Sequence, residues 1–190
     1  MTQEVHISDV KAFKSCRLRW NWSSPLRNNL EPRAPPRQLF VGTGIHFALD
    51  SYVQAGPELA LPAYEKWLAD ESGRIPPEAR QGKYWEELVE DVEMASDVLK
   101  HYTMWADVHD RGLKFLTGEY SHSMKLPGLD ATYVMRADGL VEYDGKVWVV
   151  EWKSCANFPS IDELWRDEQN AAYVVALQYD TPDIIPTGIS

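Results

Sequence analysis

Three charged residues in the C-terminal half of the chain, Asp138, Glu151 and Lys153, have types and spacing suited to chemistry. Residues two apart on a strand point to the same face, so Glu151 and Lys153 are predicted to point together. Asp138 should end or interrupt the preceding strand, and the turn pair Asp144-Gly145 predicts a hairpin joining the two strands. Two carboxylates and an ammonium group would then share one sheet edge, where they could bind a divalent cation and hydrolyse a phosphodiester.

A structural ion pair is the alternative interpretation of the same residues. Glu151 follows Trp148–Val150, a run that is apolar on both faces, as in a central strand. A carboxylate buried there is costly unless it is paired or bound to metal. Lys153 could pair with it, whereas Mg²⁺ would need only one or two carboxylates, with water and substrate phosphate completing its shell. The residues alone leave both alternatives open.

Composition limits the class of protein. The 190 residues, 44% of them hydrophobic and 12% aromatic, predict one globular domain with a real core. No apolar run is long enough to span a membrane, and the N-terminus lacks the pattern of a signal peptide, so no membrane partner is expected. Two cysteines, Cys16 and Cys155, do not make a disulfide framework. The cytoplasm is therefore the expected compartment.

Charge is unevenly distributed along the chain. A formal net charge of −10 argues against a general nucleic-acid coat protein, because phosphate binding depends on Lys and Arg. Residues 11–37, however, hold seven Lys/Arg against one acid, a net charge of +6. Residues 38–110 hold fourteen acids against five bases, a net charge of −9. The basic segment could bind phosphate, or it could simply form a solvated face.

Hydrophobic periodicity predicts helices followed by strands. Ser8 is a candidate cap for the first helix, and the prolines of 25–36 and the breakers of 74–81 predict irregular connections. The helical segments are 9–21, 39–54, 57–71, 83–110 and 161–177. The predicted strands are 114–126, 131–143 and 146–154, joined by turns at Pro127-Gly128 and Asp144-Gly145. This order predicts an α+β domain with one helix packed on the sheet.

The last nine residues, 182–190, look like the start of a further strand. We therefore expect the domain to be truncated at the C-terminus.

Two further sets of residues acquire meaning only in combination. His46 follows Gly42 and Gly44 at the start of the second predicted helix, where glycines permit close approach by backbone or ligand. Taken alone, His46 fits an ordinary helix histidine better than a ligand. Gln169 and Tyr173 are four residues apart and share a helix face. Taken alone, Tyr173 would be assigned to the core.

Together these residues resemble the motif series of a known family. Gly42-x-x-x-His46, Asp138, Glu151-x-Lys153 and Gln169-x-x-x-Tyr173 resemble, in order and approximate spacing over about 40–175, the RecB-like nucleases of the PD-(D/E)XK superfamily. The stand-alone RecB-like exonucleases, which include CRISPR-associated and phage members, are the most similar group.

The resemblance implies a restriction-endonuclease-like core. A mixed central sheet with a three-strand meander would be flanked by helices and preceded by a helical N-terminal region. A single domain over 1–190 would comprise a basic helix and linker (1–38), a helical part (39–110), and the sheet core with the motif helix (111–190).

The resemblance also implies roles for the motif residues. His46, Asp138, Glu151 and the backbone carbonyl of Trp152 would ligate Mg²⁺ or Mn²⁺. Lys153 would contact the scissile phosphate and help orient or activate the attacking water. Charge on the metal and on Lys153 would offset the negative charge of the transition state.

Further residues have supporting roles in this interpretation. Gln169 would support the site or bind a phosphate, with Tyr173 packed beside it. Glu119 is either an additional acidic residue of the site or a strand glutamate that faces solvent. Arg17, Arg19 and Trp20 resemble the opening helix of the family and could contact a nucleic-acid strand through phosphates and bases. The alternative for Trp20 and its neighbour Trp22 is a place in the core.

One feature of the family does not fit this chain. Many relatives hold a [4Fe–4S] cluster with one N-terminal and three C-terminal cysteines, and four thiolates are usually required. Cys16 is suitably placed, but Cys155 lies only two residues beyond Lys153 and no cysteine follows it. We therefore predict no iron–sulfur cluster in this chain.

The expected function is a Mg²⁺- or Mn²⁺-dependent DNA exonuclease that acts on ends or single strands. The alternatives are a nuclease-fold subunit that binds DNA ends inside a complex, and a structure-specific endonuclease. A second copy of the chain, or a partner protein from recombination or CRISPR systems, would be compatible with each.

Overall fold

The computed structural model describes residues 3–155, 157 and 159–180. The strand predicted at 182–190 lies outside these residues. Short 3-10 turns at Pro57–Leu59 and Pro77–Ala79 accompany the regular elements. The helices and strands, in chain order, are β1 (Gln3–Val5), α1 (Ile7–Ser15), α2 (Arg17–Ser23), α3 (Arg37–Ala55), α4 (Ala60–Ser72), α5 (Gly82–His109), β2 (Lys114–Thr117), β3 (Tyr120–Lys125), β4 (Ala131–Ala137), β5 (Gly139–Tyr143), β6 (Lys146–Val150), α6 (Ile161–Trp165) and α7 (Glu168–Asp180).

The elements separate into two compact units. The sheet unit combines the residues up to Glu31 with Glu119–Glu151 and the residues from Cys155 onward. The helical unit combines Pro32–Gly118 with Trp152–Ser154. The prediction of an α+β fold with a restriction-endonuclease-like core is confirmed.

A mixed three-stranded sheet is the centre of the sheet unit. β4 pairs in parallel with β1 on one side and antiparallel with β3 on the other. Side chains of β4 alternate between buried and more exposed positions, as expected for a strand with one covered face. The helix α7 packs on β3 and β4, so the predicted helix on the sheet is present. The core between them is apolar and includes Met124, Tyr133, Met135, Ala176 and Leu177.

The hairpin of β5 and β6 belongs to the same unit. Asp144 and Gly145 form its turn with φ of 51° and 69°, the left-handed region that a type I′ hairpin turn requires at both positions. The ladder runs from Tyr143 opposite Lys146 to Gly139 opposite Val150. The turn at Pro127-Gly128 likewise joins β3 to β4, with the Leu126 amide bonded to the Ala131 carbonyl. Both turns predicted from the sequence are confirmed.

The helical unit has a core of its own, built by α3, α4 and α5. The predicted helix over 83–110 is present as α5, and Leu88, Ala95, Leu99 and Ala106 are buried along one face of it. Gly44 of α3 lies so close to α4 that a Cβ atom there would be 2.6 Å from the Trp67 ring and 2.7 Å from the Tyr64 ring. Glycine is therefore required at this position for α3 and α4 to approach. No helix among the described residues is long and apolar enough to span a bilayer.

Three boundaries differ from the sequence-based expectations. The helix predicted at 9–21 is two helices, because Cys16 is extended (φ −158°, ψ 109°) and its thiol accepts a hydrogen bond from the Arg19 amide to start α2. The first helix begins at Ile7, so His6 and not Ser8 occupies its N-cap. The helix predicted at 161–177 is also divided, and a capping box at Ser160 and Glu163 begins the short α6.

The predicted strand segments do form strands, but the structure divides two of them and ends the third earlier than expected. Segment 114–126 separates into β2 and β3 at Gly118-Glu119, and segment 131–143 into β4 and β5 at Asp138. The last strand ends at Val150, so Glu151 and Lys153 do not lie on a strand and the two-residue alternation does not orient them. Among the described strands of the sheet unit, β6 pairs only with β5, which does not fit the expected central position.

Candidate active site

Asp138 and Glu151 lie at the same end of the β5–β6 hairpin. Gly139 and Val150 form the last pair of the antiparallel ladder. Asp138 immediately precedes Gly139, and Glu151 immediately follows Val150. The two carboxylate residues therefore occupy the next opposed positions beyond the end of the ladder. Both are half-buried. The structure thus brings together the two acids that the sequence singled out, although neither belongs to a strand.

Glu119 lies at the end of the β3–β4 pair that is next to Asp138. Tyr120 pairs with Ala137, and Glu119 and Asp138 are the next residues along each strand. Glu119 Oε1 is 3.5 Å from Nε of Arg136, and both side chains are largely exposed. Exposed pairs of this kind contribute about 0–1 kcal/mol to stability. The register therefore places a third acidic residue near the end that carries Asp138, in contact with an arginine.

Gln169 links the motif helix α7 to Glu151. Its Nε2 lies 2.6 Å from Glu151 Oε1 and 2.7 Å from the Tyr173 hydroxyl. The Tyr173 hydroxyl in turn donates to the backbone carbonyl of Arg136, two residues before Asp138. Helix spacing brings Gln169 and Tyr173 together, as predicted. A chain of hydrogen bonds thus fixes the orientation of the Glu151 carboxylate relative to β4.

Burial and the nearby acids both affect the pKa of Tyr173. Burial raises the pKa of this tyrosine above its usual range, and the charges of Glu151 and Asp138 raise its pKa further. The hydrogen bond from Gln169 opposes these effects. Tyr173 therefore stays protonated and continues to donate to the Arg136 carbonyl. The role of Arg136 was not predicted, and no sequence signal identifies a residue that acts through its main-chain oxygen.

The remaining motif residues belong to the helical unit. His46 is half-buried in the middle of α3, and not at its start as the sequence suggested. Trp152 donates from its indole N–H to the Tyr102 hydroxyl at 3.0 Å, and its ring lies 6.2 Å from that of Phe115. These contacts anchor the segment that carries the exposed Lys153. No signal in the sequence identified Tyr102 as the partner of Trp152.

The carboxylate pair suits a hard divalent cation. Among the described residues, no group of three or more His, Cys, Asp or Glu side chains forms a ready-made metal site. Mg²⁺ is commonly held by one or two carboxylates, with water and substrate phosphates as the other ligands. Asp138 and Glu151 supply that number of oxygen donors at one hairpin end, and a third acid lies on the neighbouring strand. The chemistry of these donors therefore fits Mg²⁺.

Comparison with known families agrees with this geometry. The sequence profile of the PD-(D/E)XK nuclease superfamily matches residues 5–186. This chain belongs to that superfamily. No curated protein matches the chain in sequence. Membership in the PD-(D/E)XK superfamily implies metal-dependent cleavage of nucleic acid, with a divalent ion that is typically Mg²⁺.

The motif that gives the PD-(D/E)XK superfamily its name can be compared with this sequence. In the assignment predicted from the sequence, Asp138 is the first acid, and Glu151-Trp152-Lys153 are the second acid, the variable residue and the lysine. Ala137 stands where the name has proline. Because Ala137 is fully buried and is the last residue of β4, the strand before the acid is retained without the proline.

Proposed function

We propose that this PD-(D/E)XK protein is a metal-dependent DNA exonuclease that acts on ends or single strands. The observation that supports it most directly is the placement of Asp138 and Glu151 at one hairpin end, with Gln169 hydrogen-bonded to Glu151. The ordered motif series supports the proposal that the chain is a RecB-like nuclease, and we propose the cytoplasm as its compartment. Because the family profile extends through both units, we treat 1–190 as one nuclease domain.

The roles that we propose follow from the donor chemistry. His46, Asp138, Glu151 and the main-chain carbonyl of Trp152 would hold Mg²⁺ or Mn²⁺. The bound ion would lower the pKa of an attacking water and offset charge on the phosphoryl oxygens. Lys153 would carry positive charge to the scissile phosphate. Gln169 acts through Glu151 and is a positioning residue, and Glu119 is a candidate for a further acidic contact.

The test is degradation of end-labelled linear single-stranded DNA with Mg²⁺ or Mn²⁺. We expect Asp138→Asn, Glu151→Gln and Lys153→Ala each to reduce the rate by at least about a hundredfold, since even residues that only support metal ligands typically cost 10–100-fold. Asp130→Asn is the matched control, because Asp130 directly precedes β4 whereas Asp138 directly follows it. Lys146→Ala is the control for Lys153, because both are exposed lysines near β6. Equal activity of wild type and site variants would contradict the assignment.

Closed circular single-stranded DNA separates the modes of cleavage. An exonuclease needs an end and should leave the circle intact while it degrades the linear strand. Cutting of the circle would identify an endonuclease instead. Binding of DNA ends without metal-stimulated cleavage would indicate an accessory end-binding subunit.

A further inference from the structure

Gln169 lies in the first turn of α7. The helix begins at Glu168, so Gln169 is its second residue. The first amide groups of a helix have no partner within the helix, and its end turns open more easily than its middle. Because Gln169 Nε2 is bonded to Glu151 Oε1, opening of this turn would release the Glu151 carboxylate. The orientation of that proposed metal ligand therefore depends on what holds the start of α7.

Asp167, the residue before α7, closes this first turn. Its Oδ1 accepts a hydrogen bond from the Gln169 backbone amide at 2.9 Å, and its carbonyl accepts one from the Ala171 amide at 3.3 Å. Aspartate is a preferred helix cap, because its side chain satisfies a free amide and its charge suits the positive end of the helix. Gln169 therefore donates its backbone amide to Asp167 and its side-chain amide to Glu151.

The helix α1 contacts the same carboxylate. Lys11 Nζ is 2.7 Å from Asp167 Oδ1, the oxygen that also accepts the Gln169 amide. A neighbouring pair, Lys14 Nζ and Glu168 Oε1, is also 2.7 Å apart. In the described part of the chain, the Glu168 side chain bonds to Lys14 and not to the Gln169 amide. The Lys11–Asp167 pair therefore connects α1 with Gln169.

α1 is itself held in the sheet unit at both ends. The strand β1, which leads into it, pairs with β4, and β4 ends next to Asp138. Asp9 of α1 is buried and accepts a 2.7 Å hydrogen bond from the Ser24 hydroxyl, just beyond α2. Lys11 thus reaches Asp167 from a fixed element. The intervening helix α2 carries the predicted binding residues Arg17, Arg19 and Trp20.

We propose that Asp167 is a positioning residue of the metal site. Its carboxylate, steadied by Lys11, keeps the first turn of α7 closed, so that Gln169 holds Glu151 in place for the ion. The proposal rests on the proposed function, because it takes Glu151 as a metal ligand. It makes α1, whose Lys11 lies 156 residues before Asp167, part of what determines metal affinity.

Isothermal titration of the full chain with Mn²⁺, without nucleic acid, tests the proposal. Asp167→Ala should raise the Mn²⁺ dissociation constant about fivefold, the equilibrium factor that corresponds to one lost helix cap. Asp167→Asn and Lys11→Met remove the ion pair but keep a cap, since asparagine caps a helix as well as aspartate does. Each should therefore cost about twofold or less, as expected for an exposed pair. Asp138→Asn should bind Mn²⁺ far more weakly, which identifies the site that is titrated.

The neighbouring ion pair supplies the matched controls. Glu168→Ala and Lys14→Met remove a pair of equal length between the same helices, but they leave the bond from Gln169 to Asp167 intact. Their Mn²⁺ dissociation constants should equal that of wild type. Thermal melts of all variants establish that each is folded and measure any loss of stability separately.

The Gln169→Ala background separates positioning from a general effect on stability. If Asp167 acts through Gln169, Asp167→Ala should weaken Mn²⁺ binding by the otherwise wild-type chain and have no further effect in combination with Gln169→Ala. A cap that serves stability alone would lower the melting temperature in both backgrounds, with no such difference in Mn²⁺ affinity.

The proposal is overturned if wild type binds no Mn²⁺, if Asp167→Ala binds it as wild type does, if Glu168→Ala loses as much affinity, or if Asp167→Ala loses equal affinity in both backgrounds. The proposed function fails separately. If the Mn²⁺ affinities follow the expected pattern but wild type does not cleave DNA, the positioning role is supported and the nuclease assignment is wrong. If wild type cleaves DNA but Asp167→Ala retains full Mn²⁺ affinity, the nuclease assignment stands and the positioning role is wrong.

Discussion

Gln169 and Tyr173 show how much of the site depends on residues that need not touch a metal. Gln169 bonds to Glu151, and Tyr173 bonds to Gln169 and to the Arg136 carbonyl. A carboxylate that is held by such bonds does not need to be ordered when the ligand arrives, and this preorganisation increases metal affinity. The same hydrogen bonds stabilise the packing of α7 on β4. In the proposed site, function and stability would therefore depend on one set of side chains, and substitutions can separate the two.

Gln169→Ala should reduce metal-dependent cleavage by about 10–100-fold, the usual cost of removing a group that supports a metal ligand. Because the substitution acts through Glu151, the metal concentration for half-maximal activity should rise more than the maximal rate falls. A metal titration of activity measures both. Gln178→Ala is the control, since Gln178 lies on the same helix but is exposed. Unchanged metal dependence in Gln169→Ala would contradict the positioning role.

Tyr173→Phe should lower the free energy of unfolding by about 1–3 kcal/mol, because it leaves a carbonyl oxygen and an amide without their buried partner. Urea unfolding monitored by circular dichroism measures the loss. Tyr64→Phe is the control. Tyr64 is also fully buried, but its hydroxyl has no hydrogen-bond partner among the described residues. Its removal should be neutral or stabilising, and an equal loss for both variants would contradict the assigned bonds.

Tyr64 also provides a prediction about pH. Burial raises the pKa of its hydroxyl from 10.0 to about 12. Because the folded-state pKa is raised, the unfolded chain loses this proton first, so stability that is fully present below pH 10 is lost as pH rises from 10 through 12. The advantage of Tyr64→Phe over wild type should therefore grow across this window, by at most about 2–3 kcal/mol. Urea unfolding of both proteins between pH 9 and pH 12 measures this difference in the free energy of unfolding. A difference that does not change with pH would contradict the burial of the Tyr64 hydroxyl.

At the scale of elements, strand ends and close helix contacts position the candidate site. The ladder of β5 and β6 ends at the residues next to Asp138 and Glu151, so the hairpin register decides that the two acids are neighbours. A shift of register by one residue would reverse the face of every side chain and separate them. In the helical unit, α3 carries His46 and approaches α4 at Gly44. Gly44 of the motif is therefore needed for the packing of α3 on α4.

Gly44→Ala should destabilise the fold by about 1–3 kcal/mol, because its methyl group would overlap the rings of Trp67 and Tyr64. Gly42→Ala is a control on the same helix. Its methyl group would lie 3.5 Å from the Ser154 hydroxyl, an ordinary contact, and alanine in a helix is favoured over glycine by about 1 kcal/mol. Thermal melts of both variants measure the difference. Equal melting temperatures would show that α3 and α4 do not approach as closely as described.

At the scale of the whole molecule, each of the two units has an apolar core of its own. Each is built from aliphatic and aromatic side chains, so the proposed metal would bind to a fold that apolar burial already stabilises. We therefore expect the protein to differ from small metal-dependent domains, which unfold when the ion is removed.

Chelation should therefore abolish cleavage but leave the protein folded. With EDTA the circular dichroism spectrum should be retained, whereas Mg²⁺ at about a hundred times its dissociation constant should stabilise the folded state by about 2.7 kcal/mol through binding linkage. A thermal melt with and without the ion measures this shift. The Asp138→Asn variant should melt alike in both conditions. Unfolding in EDTA alone would contradict the proposal that the fold does not need the metal.

The sequence by itself determined the fold class, the helix α5 and the two turns, and it supplied the candidate motif residues. These features depend on local chemistry: apolar periodicity, glycine in left-handed turns and the fixed order of charged groups along the chain. It did not determine that Cys16 divides the first helix or that β6 ends before Glu151, since those boundaries depend on caps and pairing partners.

Only the tertiary structure decided which side chains meet. The bonds of Gln169 to Glu151 and of Tyr173 to the Arg136 carbonyl join residues far apart in the chain, one of them through a main-chain atom that carries no sequence signal. The register that sets Asp138 beside Glu151 likewise results from pairing across the whole hairpin. The sequence specifies the chemical type of each side chain. The distances between side chains depend instead on how all the elements of the unit pack together.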